Sequence, residues 1–308
     1  MGHDDTQRDK GTETGTNRRG FLRTAGTTAI AAGGLGAATG QVAAFDGDDG
    51  DIQGAPDYPR ATTRGHFDIH WWYGDQLTDG HTATDYDTVG TIPGFDDGSD
   101  PAEVVVAVHG WRTAQSDAPD HFATVSTSLS NNGYDAPVVG FSWDSDTSTT
   151  DWWPATDIAE RNGPKLAHFL LDYASHSPGT QFRLTGHSLG ARVVLEAIKS
   201  LNDWGYRDIL ASATLLGGAA DNDSVSIGGE YGDDIAAAVG RFDNFWKSGD
   251  SVLNWAYSTG EFDSAIGEEG CEGTPPVNYT DHNVDYVPDH FSYHEPGDGC
   301  VPEVVRTL

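Results

Sequence analysis

The sequence predicts a single α/β domain, in which a mostly parallel sheet is flanked by helices on both faces. Short apolar runs rich in valine, typical of strands buried on both sides, alternate along the 308 residues with longer segments that can be helical. This regular alternation is the pattern of an open parallel sheet. The predicted strands are 103–110, 137–143, 181–186, 209–218 and 241–246. An additional strand is predicted at 67–74, with an antiparallel position at an edge of the sheet as one option. The predicted helices are 117–131, 155–175, 188–203 and 230–239, with Pro164 placed to start or kink the second.

The N-terminus predicts an export signal of the twin-arginine type. Arg18 and Arg19 precede a weakly apolar Ala/Gly run, and small residues at 42–44 offer a cleavage site. A flexible tail with two chance arginines is the alternative. We therefore expect the protein on the outer cell surface or outside the cell. The predicted organisation is a signal peptide at 1–44, an acidic linker at 45–64 and one folded domain at 65–308.

The charge of the chain is strongly negative, with 48 acidic against 17 basic residues and a formal net charge of -31. Residues 1–44 hold five of the basic and four of the acidic residues, so the acidity belongs to the folded part. Such a surface disfavours nucleic acid as a partner, because phosphates need cations to neutralise them. Asp outnumbers Glu 37 to 11 and only four lysines occur. This balance resembles the composition of proteins from salt-loving microbes, in which salt screens the self-repulsion.

The chain has two cysteines, Cys271 and Cys300, both near the C-terminus. Outside the cell they would meet oxidising conditions, so a disulfide that closes the last segment is predicted. Two free buried thiols are the alternative. After removal of the signal we expect no stable membrane span, because the rest of the chain has no long apolar run.

The stretch "QFRLTGHSLGARVV" suggests a nucleophile. Ser188 lies between Gly186 and Gly190, where a predicted strand stops and a predicted helix starts. Glycines at these positions permit the tight turn that holds a nucleophilic serine in a strained, exposed position. The alternative is a serine that only caps the helix. The context favours Ser188 as the nucleophile.

A second motif, "AVHGWRT", follows the first valine-rich strand. With "GHSLGAR" it is similar to the lipase-type branches of the α/β-hydrolase superfamily, including the pancreatic-lipase-like branch. The later stretch "GRFDNFWKSGDSVLNWAY", followed by "VPDHFSYH", resembles a poorly characterised hydrolase branch with Ser-x-x-Asp-x-x-Leu after a strand and a late histidine. The resemblance covers about residues 101–295. It implies an α/β-hydrolase fold and an oxyanion hole made by the backbone N–H groups of Trp111 and Leu189.

The resemblance also implies that an aspartate and a histidine follow the serine in the chain. Asp250, just after the strand at 241–246, is the preferred acid, and Asp221 or Asp223, one strand earlier, are its rivals.

Three histidines near the C-terminus are candidates for the base. His290, followed by Phe and Tyr that can shield it from water, is preferred, with His294 in reserve and His282 less favoured. His66 and His70 share a strand face, but nothing nearby completes a metal site. We therefore expect no metal and no cofactor.

These residues predict an exported serine hydrolase that cleaves a small-molecule or lipid ester through a Ser-His-Asp triad. Trp143, Trp152 and Trp153 are candidates for an apolar wall of the substrate site, and filling of the core at a helix entry is the alternative. Two other functions remain open. One is an amidase or thioesterase that uses the same machinery, and the other is a non-catalytic binding protein of this fold.

Overall fold

The computed structural model describes residues 52–70, 74–148, 151–258 and 263–308. The predicted signal peptide, the first part of the predicted linker and residues 71–73 of the predicted strand at 67–74 lie outside the described residues.

The described residues form ten strands and seven α-helices. The strands are β1 (Arg60–Thr62), β2 (Phe67–His70), β3 (Gly74–Leu77), β4 (Asp87–Val89), β5 (Glu103–Val108), β6 (Val138–Ser142), β7 (Gln181–His187), β8 (Leu210–Leu216), β9 (Val239–Trp246) and β10 (Tyr279–Asn283). The helices are α1 (Ala118–Asn131), α2 (Trp152–His176), α3 (Gly190–Asp203), α4 (Gly232–Ala238), α5 (Ser251–Ala256), α6 (Ile266–Glu269) and α7 (Val301–Thr307). A 3-10 turn covers Ser292–His294.

Eight of these strands form one sheet in the order β10-β9-β8-β7-β5-β6-β1-β4. All neighbours run parallel except β1 and β4, which are antiparallel at one edge. Strand β5 lies inside the sheet, and Val104–Val108 are buried, as a continuous apolar run requires when helices cover both faces. The predicted fold class, a mostly parallel α/β sheet flanked by helices, is confirmed.

The order in which the chain adds strands to the sheet reverses at β5. Helix α1 leads from β5 to β6 on one side, whereas α2 leads from β6 to β7 on the other side of β5. The register pairs Val108 of β5 with Gly186 of β7 and pairs His187 with Leu216 of β8, so the carboxyl ends of these strands meet at one edge. In open α/β sheets this reversal point is where ligands bind.

The structure begins its sheet earlier than the sequence suggested. Arg60–Thr62, assigned to the linker, pair with Gly140–Ser142 of β6, and Ala61 is fully buried. The assignment of residues 45–64 as a linker is therefore wrong for its last part. The strand was not predicted because three residues are too few to show a strand period. Residues 67–70 do not join the main sheet either, since they pair with 74–77 in a separate two-stranded sheet.

The predicted disulfide is also wrong, because the structure leaves both thiols free. Cys300 is buried beside Phe245, Val287 and Tyr293, and its Sγ donates to the carbonyl of Tyr293 at 3.4 Å. Cys271 packs at the edge of a different apolar cluster. Burial, with the charges of nearby aspartates, raises the pKa of Cys271 to about 11. Each cysteine thus behaves as a small apolar residue in its own cluster.

Among the described residues, no helix is both long enough and apolar enough to cross a membrane.

Candidate active site

Ser188 occupies a strained turn at the carboxyl edge of the sheet. It follows the last residue of β7 and precedes α3 by one residue, and its φ is 52°, in the left-handed region that non-glycine residues seldom adopt. Three backbone hydrogen bonds hold it there. Its N–H donates to the carbonyl of Leu216 at 3.1 Å, and its carbonyl accepts from Ala191 at 3.0 Å and Ala219 at 2.9 Å. Neighbouring strand and helix therefore fix a conformation that the residue alone would avoid.

Two glycines let the backbone approach this turn. A Cβ on Gly190 would lie 2.6 Å from the carbonyl oxygen of His109 and 2.7 Å from that of Val108, so no other residue fits there without displacement of β5. A Cβ on Gly110 would lie 3.0 Å from Ser188 Cβ. The loop after β5 and the turn at Ser188 are thus in direct contact, as the two motifs predicted.

Asp250 and His290 form a buried hydrogen-bonded pair. His290 Nδ1 lies 2.8 Å from Asp250 Oδ2, and the two side chains are 1% and 0% exposed. Asp250 is the N-cap of α5, so its Oδ1 accepts from the backbone N–H groups of Val252 at 3.1 Å and Leu253 at 3.2 Å. One oxygen is therefore held by the helix, and the other orients the imidazole.

The environment of Asp250 keeps it ionised. Burial alone would raise the pKa of its carboxyl group, but His290 and the N–H groups of Leu253 and Val252 outweigh burial and lower the pKa below its usual value. The opposite nitrogen of the imidazole, His290 Nε2, is buried and has no hydrogen-bond partner in the described residues. No bond to the Ser188 hydroxyl is therefore made in this structure, and such bonds often tighten only when substrate binds.

The rival acids have other partners. Asp221 Oδ1 lies 3.3 Å from Arg192 Nη2, an ion pair that holds α3 to the loop after β8. Asp223 is exposed, and its carbonyl accepts from the Ser226 hydroxyl at 2.7 Å. Of the three candidate acids, the structure places Asp250 against the preferred histidine.

The rival bases also lie elsewhere. His282 is on β10, where Nε2 lies 2.7 Å from Asp243 Oδ1 and the ring stacks on Phe245. His294 belongs to the 3-10 turn and contacts His121, with ring centroids 4.4 Å apart.

The loop after β5 is held by His109 and Arg64. His109 Nε2 accepts from the backbone N–H of Trp143 at 3.2 Å and lies 3.1 Å from Arg64 Nη2, which can only donate. Nε2 is therefore the nitrogen without a proton, and Nδ1 donates to the carbonyl of Gly110 at 2.9 Å. Burial and the neighbouring Arg64 lower the pKa of His109 well below its usual value, in agreement with a neutral ring.

Arg64 binds three points around this loop. Its Nη2 also donates to the carbonyl of Thr113 at 2.8 Å, and its Nε donates to Ser142 Oγ at the end of β6 at 3.0 Å. Burial lowers the pKa of Arg64 to about 10, which still leaves it charged at neutral pH. No sequence pattern indicates this role of Arg64, because the residue precedes β5 and β6 in the chain and belongs to no motif.

The two predicted oxyanion donors lie at this edge. Leu189 directly precedes α3, and its N–H has no acceptor among the described residues. Trp111 follows Gly110 in the loop, and its indole Nε1 donates to Thr147 Oγ1 at 2.6 Å. A helix N-terminus next to the serine favours negative charge.

The three tryptophans predicted as a substrate wall have different positions. Trp143 is 0% exposed, stacks on His109 and donates Nε1 to the His109 carbonyl at 2.8 Å, so it offers no surface for the predicted substrate wall. Trp152 is also largely buried, in the first turn of α2, and its ring meets that of Trp111 edge-on at 5.3 Å. Trp153 is half-buried against the core. The alternative of core filling at a helix entry therefore describes Trp143 and Trp152.

The fold also brings together three histidines that no sequence motif connects. His121, His187 and His294, from three distant segments, are buried and place ring nitrogens within 4.8 Å of one another. No spacing in the sequence reveals this group, because α1, β7 and the C-terminal 3-10 turn meet only in the folded chain.

One family model matches part of the chain. A family model described as "Alpha/beta hydrolase of unknown function (DUF900)" matches residues 96–224, which include the loop after β5 and the turn at Ser188. No curated protein matches the chain significantly.

The solved structures that match the chain have low sequence identity and low TM-scores. One is an acetylxylan esterase at 0.90 Å resolution, with 12% identity, a TM-score of 0.37 and coverage of 68% of this chain and 95% of that chain. Another is the putative cell surface hydrolase from Lactobacillus plantarum WCFS1, with 10% identity, a TM-score of 0.35 and coverage of 67% and 89%. A third is the catalytic core domain of acetyl xylan esterase from Trichoderma reesei, with 10% identity, a TM-score of 0.34 and coverage of 67% and 90%. At these values the likenesses say nothing of the chemistry of this chain. The chain thus has a mostly parallel α/β sheet, and residues 96–224 are similar to an α/β-hydrolase family.

Proposed function

We propose that the protein is an exported serine hydrolase that cleaves carboxylic esters by acyl transfer. The observation that carries the proposal is the combination of Ser188 in a left-handed turn with a buried Asp250–His290 pair whose Nε2 is unoccupied. A serine hydroxyl attacks an ester carbonyl only when a base accepts its proton and donors meet the developing oxyanion.

In the proposed reaction, His290 Nε2 takes the proton of Ser188 as the hydroxyl oxygen bonds to the ester carbonyl carbon. Asp250 holds Nδ1–H and stabilises the imidazolium that forms. The backbone N–H groups of Leu189 and Trp111 receive the oxyanion. The imidazolium then returns the proton to the leaving alcohol, and water repeats the sequence to release the acid and free Ser188. No cofactor takes part in these steps.

The substrate is proposed to be a small-molecule or lipid ester. Trp111 is only partly buried and provides aromatic surface beside its own backbone N–H, which suits an apolar acyl group. Export by the twin-arginine route remains part of the proposal and rests on Arg18 and Arg19 alone. Undiminished secretion of a variant with lysine at both positions would contradict that route.

The decisive experiment compares Ser188→Ala with the wild type in covalent labelling by a fluorophosphonate probe and in hydrolysis of esters of increasing chain length. We expect the variant to stay folded, to lose labelling and to lose turnover by several orders of magnitude, because the nucleophile is gone. The matched control is Ser200→Ala, which changes another buried serine further along α3. Its labelling should equal that of the wild type.

Two outcomes would overturn the proposal. If wild-type protein that melts cooperatively is neither labelled nor active on any ester, a non-catalytic member of this fold becomes the better account. If Ser188→Ala keeps wild-type turnover, the nucleophile is another residue. If amides or thioesters were turned over faster than esters, the proposed triad would stand and the proposed substrate class would change.

A further inference from the structure

Three buried histidines meet next to the proposed active site, and the proposed mechanism uses none of them. His121 lies on α1, His187 ends β7 just before Ser188, and His294 ends the 3-10 turn that follows His290. Their exposures are 3%, 6% and 1%. The cluster thus joins the helix after β5, the turn that carries the serine and the segment that carries the proposed base.

The geometry is close to that of three imidazoles on one metal ion. Each residue offers one ring nitrogen, and these nitrogens lie within 4.8 Å of one another. The ring centroids are 4.4 Å apart for His121 and His294, 5.2 Å for His187 and His294, and 6.0 Å for His121 and His187. Three imidazoles on a tetrahedral zinc ion would have nitrogens about 3.4 Å apart and ring centres about 5 Å apart. Small side-chain rotations would close the remaining gap.

The protonation states suit metal binding. Burial, more than the neighbouring imidazoles, lowers the pKa of His121, His187 and His294 well below the usual value, so each ring is neutral and keeps a lone pair. His187 Nε2 lies 2.8 Å from the carbonyl oxygen of His290 and must donate its proton to it, which leaves the lone pair on Nδ1. Metal-bound histidines usually donate such a hydrogen bond from the ring nitrogen that does not bind the metal.

The neighbours of this cluster differ from those of the other histidine group. Apart from burial, the groups that lower the pKa of these three histidines are other imidazoles, and the carbonyl of His290 acts on His187 in the opposite direction. The contrasting group is His66, His81 and Asp85, which already surrounds a cation of the protein itself. There, Lys165 Nζ lies 2.6 Å from Asp85 Oδ1 and 3.2 Å from His66 Nδ1. A metal ion has no place beside that ammonium group.

We propose that His121, His187 and His294 bind one divalent transition-metal ion, preferably zinc, through one nitrogen each. Imidazole ligands suit zinc and its neighbours rather than calcium or magnesium, which prefer oxygen. The ion would cross-link α1, the turn at Ser188 and the segment that carries His290, and its role would be to hold that segment in place. The proposal does not depend on the esterase activity.

The experiment measures zinc bound to the purified protein after dialysis against zinc and a wash in high salt, which removes ions held loosely by the acidic surface. We expect about one zinc per chain in the wild type. In His121→Gln and in His294→Gln the zinc affinity should fall about a hundredfold or more, because one ligand is lost. The matched control is His168→Gln, a half-exposed histidine outside the cluster, which should bind zinc as the wild type does.

Two measurements on the wild type alone, thermal melting and cobalt spectroscopy, test the proposal even if the variants do not fold. A chelator such as 1,10-phenanthroline should lower the melting temperature and added zinc should restore it. Cobalt(II) in place of zinc should give the strong visible bands of a tetrahedral nitrogen site and not the weak bands of carboxylate-bound octahedral cobalt. The cluster would be only three packed neutral rings if the wild type did not retain zinc. The same conclusion would follow if neither chelator nor zinc changed the melting temperature. Octahedral cobalt, or unchanged binding in His121→Gln, would place the metal elsewhere.

Discussion

Asp250 has its two carboxylate oxygens bound to different partners. Oδ1 caps α5 and Oδ2 meets His290 Nδ1, so the residue serves the helix and the imidazole together. Because the cap fixes the carboxylate, the imidazole has one preferred orientation before any substrate arrives. This is the preorganisation that the proposed transition state requires.

At this scale we predict the effect of Asp250→Asn. Asparagine still caps α5, so the variant should fold. Its amide favours the wrong tautomer of His290, and kcat should fall by orders of magnitude, about ten-thousandfold in the reference triad. Steady-state ester kinetics and a melting curve measure the two effects separately.

The matched control for this variant is Asp221→Asn, since Asp221 pairs with Arg192 and not with a histidine. It should change stability more than kcat. The reverse result, with kcat lost in Asp221→Asn and kept in Asp250→Asn, would assign the acid to the loop after β8.

At the scale of elements, the loop after β5 depends on residues outside its own motif. The register of β5, β6 and β7 brings His109 to the carboxyl edge, but Arg64 and Trp143 set its tautomer. Gly110 and Trp111 are therefore positioned by a segment between β1 and β2 and by the end of β6. Arg64 is a positioning residue, which acts on the proposed oxyanion donors through His109 and Thr113.

We predict that Arg64→Met lowers kcat and leaves KM nearly unchanged, because the oxyanion forms only in the transition state. Loss of one oxyanion donor costs roughly a hundredfold to a thousandfold in kcat, and displacement of the loop should cost up to that amount. Arg64→Lys should recover part of the rate, since a lysine keeps the charge but not the fork of donors. Kinetics across a substrate series measure both constants.

The matched control is Arg183→Met. Arg183 pairs with Glu103 at the opposite end of the same strands, with its Nε 2.8 Å from Glu103 Oε2. This variant should lose stability without a selective loss of kcat. Equal kinetic effects of Arg64→Met and Arg183→Met would reduce Arg64 to a general contribution to stability.

At the scale of the whole molecule, the net charge of -31 acts on every element together. The Debye length is about 30 Å at 0.01 M salt and about 3 Å at 1 M. At low salt, then, acidic residues repel one another across the domain, whereas at high salt the repulsion is largely screened.

We predict that the melting temperature and the esterase activity rise together from 0.01 M to 1 M salt, equally in sodium chloride and potassium chloride. The two salts are expected to have equal effects because charge screening, and not a specifically bound ion, is the proposed cause. Melting in sucrose is the control, since sucrose favours the compact state without screening charge. A protein that is equally stable and active at both salt concentrations would contradict adaptation to salt.

The sequence by itself determined the fold class and the position of the serine. Valine-rich runs such as 103–110 are strands because only a doubly covered strand buries so many consecutive apolar side chains. The turn at Ser188 was readable because its strand, its glycines and its helix are adjacent in the chain, so local sequence carries the whole signal. Strand β1, next to one edge of the sheet, and strand β10, at the other edge, were missed, since three to five residues with mixed polarity show no period.

Only the tertiary structure decided which distant residues meet. It places Asp250 against His290 across 40 positions and Asp221 against Arg192, a choice that spacing left open. It separates Cys271 from Cys300, buries Trp143 under the loop after β5, and gathers His121, His187 and His294. The physical reason is the same in each case. Contacts between distant segments depend on sheet order and register, which follow from the packing of all elements together, whereas a sequence pattern reports only the environment of neighbouring residues.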